Sequence, residues 1–138
     1  MAGRDALSEL IGVEGYERGD EWARARVPVG EKVLQPYGIV HGGIYPVLAE
    51  TVCSRATADA VAELGMAAFG QSNDASFLRP ISEGHVNAEA RVRHRGRTTW
   101  VWEVEMTDDR GRLCALVRVT VAVRPVSGPV PASPESGS

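Results

Sequence analysis

The sequence predicts an α+β domain in which one long helix lies against a curved antiparallel sheet of five to six strands. Two observations predict it: a single long helical segment, and alternating apolar and polar residues through most of the remaining chain. The length of 138 residues and the 43% hydrophobic content are typical of one globular domain. We place this domain at residues 1–124. Residues 125–138, rich in Pro, Ser and Gly, have too little apolar surface to fold and are predicted to be a disordered tail.

The helical segment runs roughly from residue 43 to residue 64. Its alanines and leucines favour a helix. Pro46 is tolerated only in the first turn of a helix, which places the start at Gly43 or Ile44. Gly65 lies where a glycine commonly ends a helix. This segment is therefore the predicted central helix.

Period-two patterns predict the strands. The clearest patterns lie at residues 86–92, 100–106 and 113–123. Turn sequences at Asp108–Gly111 and around Gly96 join them, so they are predicted to form an antiparallel meander. Weaker patterns predict further strands at residues 12–18, 21–29 and 67–78. Trp100 and Trp102 share a face with apolar neighbours, which favours a place in the core or a subunit interface over a stacking platform.

Composition excludes several functional classes. A formal net charge of −3 argues against general nucleic-acid binding, which needs a basic surface. The sequence lacks an apolar run of about 18 residues and an N-terminal signal-peptide core, so we expect a cytoplasmic protein that does not enter a membrane. Cys53 and Cys114 are predicted to be buried, reduced thiols, because both lie in apolar runs and neither has a second Cys or a His at a metal-binding spacing. The alternative is a single disulfide between them.

Two polar arcs run along the predicted helix, as spacing of about 100° per residue indicates. The first arc consists of Arg55, Asp59 and Glu63, and it is typical of a solvated face. The second arc consists of Glu50, Ser54 and Thr57, and it lies roughly opposite Asp59. We expect the second arc to meet a pocket or another subunit. The alternative for Glu50 is a structural ion pair with an arginine elsewhere in the fold.

A chemical site is predicted where the helix begins, at His41, Gly42 and Gly43. Free backbone N–H groups at a helix N-terminus stabilise negative charge that develops on an oxygen atom. A glycine there lets a substrate approach closely. The Glu50 carboxylate, two turns further along, could attack a carbonyl or direct a water molecule at it. The alternatives are a simple turn into the helix and a loop histidine with a backbone partner.

These residues resemble the hotdog-fold acyl-CoA thioesterases, in which a sheet wraps around a central helix. The resemblance begins with His-Gly-Gly followed by an acid eight residues after Gly42. It extends to GQSNDASFLRPISEGHV (residues 70–86), TTWVWEV (98–104), DDRGRLCA (108–115) and VAVRP (121–125). Together these segments resemble the 4-hydroxybenzoyl-CoA thioesterases of the branch that uses a helix glutamate rather than an aspartate. The resemblance spans about residues 10–125.

The resemblance implies a role for each matching residue. Gly42 would donate its backbone N–H to the thioester carbonyl, and Glu50 would be the nucleophile or the general base. Gln35 matches a glutamine near the carbonyl and the leaving group. Ser54 replaces a threonine that positions the attacking water and keeps its hydroxyl group. His41 matches the motif histidine, which organises the loop.

The resemblance also implies a binding site for coenzyme A and an oligomer. Arg79 and Thr98 match residues that contact the nucleotide. Arg97 replaces a small hydroxyl residue, and Val126 and Ser127 replace a basic C-terminal end. The family implies dimers joined into a tetramer, with sites at subunit interfaces. It requires no metal ion and no redox cofactor, since coenzyme A is part of the substrate.

Four arginines form a second candidate contact for the phosphates of coenzyme A. Arg91, Arg93, Arg95 and Arg97 alternate along a predicted strand and its turn, so they are expected to share one face. A concentrated basic stripe on an acidic protein could bind phosphate groups. The alternative is a solvated strand face balanced by glutamates on neighbouring strands.

The sequence therefore predicts a thioesterase that hydrolyses an acyl-CoA, with an aromatic acyl group of the 4-hydroxybenzoyl type, to the free acid and coenzyme A. Two alternatives stay open. A hotdog dehydratase would need an acid and a histidine around the α and β carbons of the substrate, whereas His41 lies in the turn. A non-catalytic acyl-CoA-binding module would keep the pocket without needing Glu50. The residues do not separate attack by Glu50 itself from deprotonation of a water molecule.

Overall fold

A computed structural model describes residues 3–126 of the chain. The helices are α1 (Ala6–Ile11) and α2 (Ile44–Val61), and short 3₁₀ turns lie at Glu31–Val33 and Ala62–Leu64. The strands are β1 (Glu14–Arg18), β2 (Trp22–Pro28), β3 (Met66–Phe77), β4 (His85–Arg95), β5 (Thr99–Thr107) and β6 (Leu113–Pro125). The α+β class with one long helix is confirmed. The short helix α1 was not predicted.

All six strands form one antiparallel sheet in the order β1-β2-β4-β5-β6-β3. The consecutive pairing of β4, β5 and β6 confirms the predicted meander. Strand β3 follows α2 and its 3₁₀ turn in the chain. Among residues 3–126 it pairs only with β6, so it is an edge strand of the sheet. Its free edge carries backbone N–H and C=O groups that have no neighbouring strand among residues 3–126.

The bounds of α2 agree with the prediction. Gly43 is the residue before the first helical turn, and Pro46 lies within that turn. The α-helix ends at Val61, and a 3₁₀ turn carries the chain to Gly65, which has a φ of 71°. This left-handed conformation is open to glycine at little cost and stops the helix. Among residues 3–126, none of the helices is both long and apolar enough to span a lipid bilayer.

The core lies between the inner face of α2 and the concave face of the sheet. Trp100 and Trp102 are 2% and 1% exposed, which confirms that they are core residues. The Trp102 indole Nε1 donates a hydrogen bond to Thr57 Oγ1 at 2.9 Å, and the Thr57 hydroxyl donates to the Cys53 carbonyl at 2.7 Å. The expectation that Thr57 belongs to a pocket-facing arc is therefore wrong, because this buried hydroxyl satisfies a buried indole N–H.

Both cysteines are buried and neither forms a disulfide, as predicted. Burial raises the pKa of the Cys53 thiol and, together with the nearby Asp108 carboxylate, that of Cys114. A raised pKa keeps both thiols protonated and unreactive near neutral pH. They are structural residues of the core.

The four arginines of the predicted basic stripe do not share one face. A register shift between Val92 and His94 inserts a bulge into β4. Because one extra residue reverses the alternation, Arg95 pairs in register with buried Trp100 and lies over its ring, 4.4 Å from the centroid. Arg91 remains on the opposite, outer face, where it contacts Glu89 at 3.5 Å.

The outer-face arginines instead fit the alternative of a charge-balanced surface. Arg93 lies 3.3 Å from Glu103, and Arg118 of the neighbouring strand β6 lies 3.7 Å from the same residue. Such exposed pairs each contribute less than about 1 kcal/mol to stability. Arg97, in the turn after β4, is exposed.

Strand β6 extends one residue past the predicted domain boundary at residue 124. Strand β6 includes Pro125, and the Val126 N–H donates to the Gly65 carbonyl at 3.0 Å. This bond ties the end of β6 to the end of α2. The rest of the predicted tail, residues 127–138, lies outside the described residues.

Candidate active site

The loop before α2 holds Gly42 in place and leaves its N–H free. The His41 N–H donates to the Val33 carbonyl at 2.8 Å, and His41 Nδ1 accepts the Gly43 N–H at 3.0 Å. These two bonds tie His41 to the 3₁₀ turn at Glu31–Val33 and to the residue that precedes α2. Within residues 3–126, no hydrogen-bond acceptor faces the Gly42 N–H. The first amide of the helix entry is thus a free donor, as an oxyanion site requires.

The packing of the chain also favours a glycine at position 42. A Cβ atom at this position would lie 2.9 Å from Cε2 of Phe77, closer than real Cβ contacts. The Phe77 ring, 59% exposed, rests against Tyr45 with ring centroids 5.5 Å apart. Burial, with the nearby Cys114, raises the pKa of Tyr45 to about 12, so its phenol stays protonated near neutral pH. An aromatic wall therefore stands beside the free amide.

Glu50 lies on the exposed side of α2, next to strand β3. Its carboxylate takes part in none of the ion pairs or side-chain hydrogen bonds formed by residues 3–126. The alternative of a structural arginine partner is therefore not realised within one chain. Its described neighbour is Gly70 of β3.

Ser54 lies one helical turn after Glu50. Its Oγ is the single buried side-chain oxygen or nitrogen atom of residues 3–126 that has no hydrogen-bond partner. An unpaired buried hydroxyl costs roughly 1–3 kcal/mol, so such atoms are rare and need an explanation. Of the second polar arc, Glu50 and Ser54 thus keep free polar groups, whereas Thr57 does not.

Gln35 lies in a tight turn ahead of the His41 loop. Its backbone N–H donates to Ile39 at 2.8 Å, and its carbonyl accepts the Gly38 N–H at 2.9 Å. The side-chain oxygen accepts the Tyr37 N–H. The bond from Tyr37 occupies the side-chain oxygen of Gln35, which leaves the carboxamide NH₂ group as a free donor within residues 3–126.

The residues expected to bind the nucleotide are far apart in one chain. The Arg79 N–H donates to the Cys114 carbonyl at 3.1 Å, at the start of β6. The Thr98 carbonyl accepts the Val123 N–H at 2.9 Å, near the end of β6, with Arg97 beside it in the β4–β5 turn. These anchor points are nine residues apart, or about 30 Å along a strand. One protomer therefore does not bring Arg79 and Thr98 to the same nucleotide.

The site residues fall into two groups along β3. The carbonyl-end group consists of His41, Gly42, Phe77 and Arg79. The glutamate-end group consists of Glu50, Gly70 and Thr98. The register separates them, because Phe77 pairs with Ala115 of β6 and Gly70 pairs with Val121. Six strand residues correspond to about 20 Å.

Three residues at this site were not singled out from the sequence. Phe77 contacts the Gly42 position, and Gly70 lies against Glu50. Asn73 donates from Nδ2 to the Pro46 carbonyl at 2.9 Å, which ties β3 to the first turn of α2. A glycine in the middle of a strand is a recognised signal for a close approach of another group, so Gly70 carried the only usable sign.

Among residues 3–126, no three His, Cys, Asp or Glu side chains are grouped so that they could hold a metal ion. The free groups of the site are a backbone N–H, a carboxylate, a hydroxyl and a carboxamide. This set can polarise a carbonyl group and either attack it or activate a water molecule.

Comparison with known proteins gives the family. The sequence matches the thioesterase superfamily over residues 37–115. The 1,4-dihydroxy-2-naphthoyl-CoA hydrolase of Listeria monocytogenes is 38% identical over 120 residues, which cover 86% of this chain and 95% of that protein. A solved thioesterase from Haemophilus influenzae superimposes with a TM-score of 0.83 at 32% identity, covering 88% of this chain and 85% of that one.

A Staphylococcus aureus thioesterase is similar in the same way. Its structure superimposes with a TM-score of 0.83 at 30% identity and covers 88% of this chain and 100% of that one. It has been solved with a glutamine changed to alanine and, separately, with a glutamate changed to alanine. The two changed positions are 15 residues apart, which is also the spacing of Gln35 and Glu50. This chain belongs to the thioesterase superfamily, has the hotdog fold and is a thioester hydrolase.

Proposed function

We propose that the protein hydrolyses an aromatic acyl-CoA, of the hydroxybenzoyl or hydroxynaphthoyl type, to the free acid and coenzyme A. The observation that carries the proposal is the Glu50 carboxylate, which has no ion-pair or hydrogen-bond partner within residues 3–126 and lies on the helix that the free Gly42 amide precedes. The aromatic ring of Phe77 beside Gly42 supports an aromatic acyl group. The relative that hydrolyses 1,4-dihydroxy-2-naphthoyl-CoA supports the same class.

In the proposed reaction the Gly42 N–H donates to the thioester oxygen and stabilises the negative charge that develops there. Glu50 either attacks the carbonyl carbon, giving a mixed anhydride that water opens, or takes a proton from an attacking water. The C–S bond breaks, and coenzyme A leaves as a thiolate that is then protonated. Ser54 would hold the water, and the Gln35 NH₂ would lie near the carbonyl and the leaving group. This chemistry needs neither a metal ion nor a redox cofactor.

We propose that each active site combines two copies of the chain. Gly42 and Glu50 are eight residues apart, or about 12 Å along the helix axis. A reacting carbonyl needs its hydrogen-bond donor and its nucleophile within about 7 Å of each other. A second copy lying antiparallel along the free edge of β3 would oppose the carbonyl-end group of one chain to the glutamate-end group of the other.

Exposed apolar side chains on and after β3 support this arrangement, namely Phe69, Phe77 and Leu78. The same pairing would bring Arg79 of one copy towards Thr98 and Arg97 of the other, where they could bind one nucleotide. Two such dimers joined back to back would give the tetramer that the resemblance implies. The two unpaired cysteines support a reducing compartment such as the cytoplasm.

A panel of CoA esters tests the substrate class. We expect free-thiol release from hydroxybenzoyl- and hydroxynaphthoyl-CoA with kcat/KM at least about 10-fold above that for hexanoyl-CoA, because the aryl ring fits beside Phe77. Equal or higher rates with hexanoyl-CoA would contradict the aromatic assignment. Tight binding of the esters without thiol release would favour a binding module. Loss of water from a 3-hydroxyacyl-CoA would favour a dehydratase.

Mixing of inactive variants tests the shared site. Glu50→Ala and Gln35→Ala chains, unfolded and refolded together in equal amounts, should regain about 25% of wild-type activity, because half of the dimers then contain one intact site. The control carries both substitutions in one chain. Refolded with wild type, it should leave only about 25% activity if sites are shared, but about 50% if each chain is independent. No regain in the first mixture would contradict a site built from two chains.

A further inference from the structure

Gly70 of β3 is the residue against which the Glu50 side chain rests. A Cβ atom at position 70 would lie 2.7 Å from Glu50 Oε2, 2.9 Å from Cδ and 3.2 Å from Cγ. The first two distances are shorter than real Cβ contacts, and the third is tighter than most of them. Any side chain at position 70 would therefore displace the carboxylate of Glu50 from its present place.

The backbone of Gly70 does not itself require glycine. Six glycines among the described residues have positive φ, and Gly70 is not one of them. A glycine in the interior of a strand costs roughly 0.5–1 kcal/mol relative to alanine, since it loses more freedom on folding and packs nothing. The glycine is therefore explained by the Glu50 side chain that lies against it rather than by a turn.

Gly70 pairs with buried Val121 and lies on the same face of β3 as Ala68, the face towards the helix. The pairing of β3 with β6 shifts register between Gly70 and Ser72. Because a bulge reverses the alternation of the strand, Gly70 and Asn73 both face α2 although they are three residues apart. Asn73 donates to the Pro46 carbonyl at 2.9 Å and so fixes the strand against the helix beside Gly70.

Nothing else among residues 3–126 holds the Glu50 carboxylate. Some acids in the chain are fixed by polar partners: the Asp108 carboxylate, for example, accepts a hydrogen bond from Nε–H of Arg112 at 2.7 Å. Glu50 has no such bond, so the shape of the strand surface defines where its carboxylate can lie. Because Gly70 has no side chain, the Glu50 carboxylate can lie close to the backbone of β3.

We propose that Gly70 is a positioning residue: its missing side chain lets the Glu50 carboxylate lie against β3 in the orientation from which it acts on the thioester. This inference rests on the proposed function, in which Glu50 performs the chemistry. It assigns to this glycine the task of presenting a bare backbone to the glutamate.

The test is Gly70→Ala, assayed for thiol release with the best ester of the panel. We expect kcat to fall by about 10-fold or more with KM within about threefold, because binding groups are untouched and only the carboxylate moves. The melting temperature should stay within about 4 °C of wild type, since exposed Glu50 can rotate away. The matched control is Gly30→Ala, where an added Cβ meets nothing within 4 Å and activity should not change.

The Glu50→Ala background separates this inference from the proposed function. If Gly70 acts through Glu50, Gly70→Ala should cause no further loss of the residual activity there. An equal fractional loss in both backgrounds, an unchanged kcat, or a change confined to KM would overturn the positioning role. Wild-type activity in Glu50→Ala alone would overturn the proposed function itself.

Folding provides a second readout. Should Gly70→Ala fail to fold, recovery of folding in the Gly70→Ala, Glu50→Ala double variant would identify the contact with the carboxylate as the cause and support the inference. A double variant that also fails to fold would overturn it, because Gly70 would then be needed for the strand alone.

Discussion

Replacement of Glu50 by alanine is expected to lower kcat/KM for the preferred aryl-CoA by about 100-fold or more, which corresponds to roughly 3 kcal/mol of transition-state stabilisation. The carboxylate has no other task in the chain: it is exposed, and it forms no ion pair within residues 3–126. The melting temperature should therefore stay close to that of the wild type. Loss of activity without loss of stability is the combination that distinguishes a catalytic from a structural glutamate.

Glu50→Gln is the matched control for size. It keeps the shape of the side chain and the contact with Gly70 but has neither a nucleophilic nor a basic oxygen. We expect it to be as inactive as Glu50→Ala in the free-thiol assay, with KM little changed. If Glu50→Gln or Glu50→Ala reacted at the wild-type rate, Glu50 would be a solvent-exposed surface residue without a catalytic role.

Truncation of Trp102 is expected to produce the largest loss of stability, about 4 kcal/mol for Trp102→Ala. The side chain is 1% exposed, and its indole N–H donates to buried Thr57 at 2.9 Å. Removing it leaves a cavity under α2 and an unpaired hydroxyl acceptor. Since small domains are stable by only about 5–15 kcal/mol, the variant should unfold at a much lower urea concentration. Far-UV circular dichroism across a urea series measures this.

Trp102→Phe separates packing from hydrogen bonding. It retains most of the ring and removes the N–H donor, so we expect a loss of about 1–2 kcal/mol. Trp22, partly exposed and in contact with the Arg24 guanidinium, provides a surface control: Trp22→Phe should cost less than about 1 kcal/mol. A Trp102→Ala variant as stable as Trp22→Phe would contradict the place of Trp102 at the centre of the core.

The elements of the fold were predictable because local signals set their ends. Pro46 and Gly65 limit the helical segment: α2 begins at Ile44 and, with its 3₁₀ turn, reaches Leu64, whereas the prediction ran from residue 43 to residue 64. Period-two patterns and weaker strand signals mark all six strands. Helix α1 was not predicted, because its six residues, capped by Asp5 and ended by Gly12, are too few to show a periodic pattern. Local chemistry is thus sufficient for elements long enough to show a repeating pattern.

What failed depended on partners that are distant in sequence or on single extra residues. The bulge in β4 places Arg95 on the inner face, and the spacing of the arginines gives no sign of this bulge. The helical pattern placed the Thr57 hydroxyl in a polar arc, because it could not show the hydrogen bond from Trp102, 45 residues away. The motif residues Gly42 and Glu50 could be selected from the chain, whereas their division between the two ends of β3 follows only from the strand register.

The close approach of Phe77 to Gly42 has a consequence for the history of the sequence. A Cβ atom at position 42 would meet the Phe77 ring at 2.9 Å, so an alanine there fits only if the exposed ring turns away or position 77 becomes smaller. The two positions, 35 residues apart, are therefore expected to be coupled in evolution. A lineage that loses the aromatic ring gains freedom at position 42, whereas a lineage that keeps the ring is restricted there.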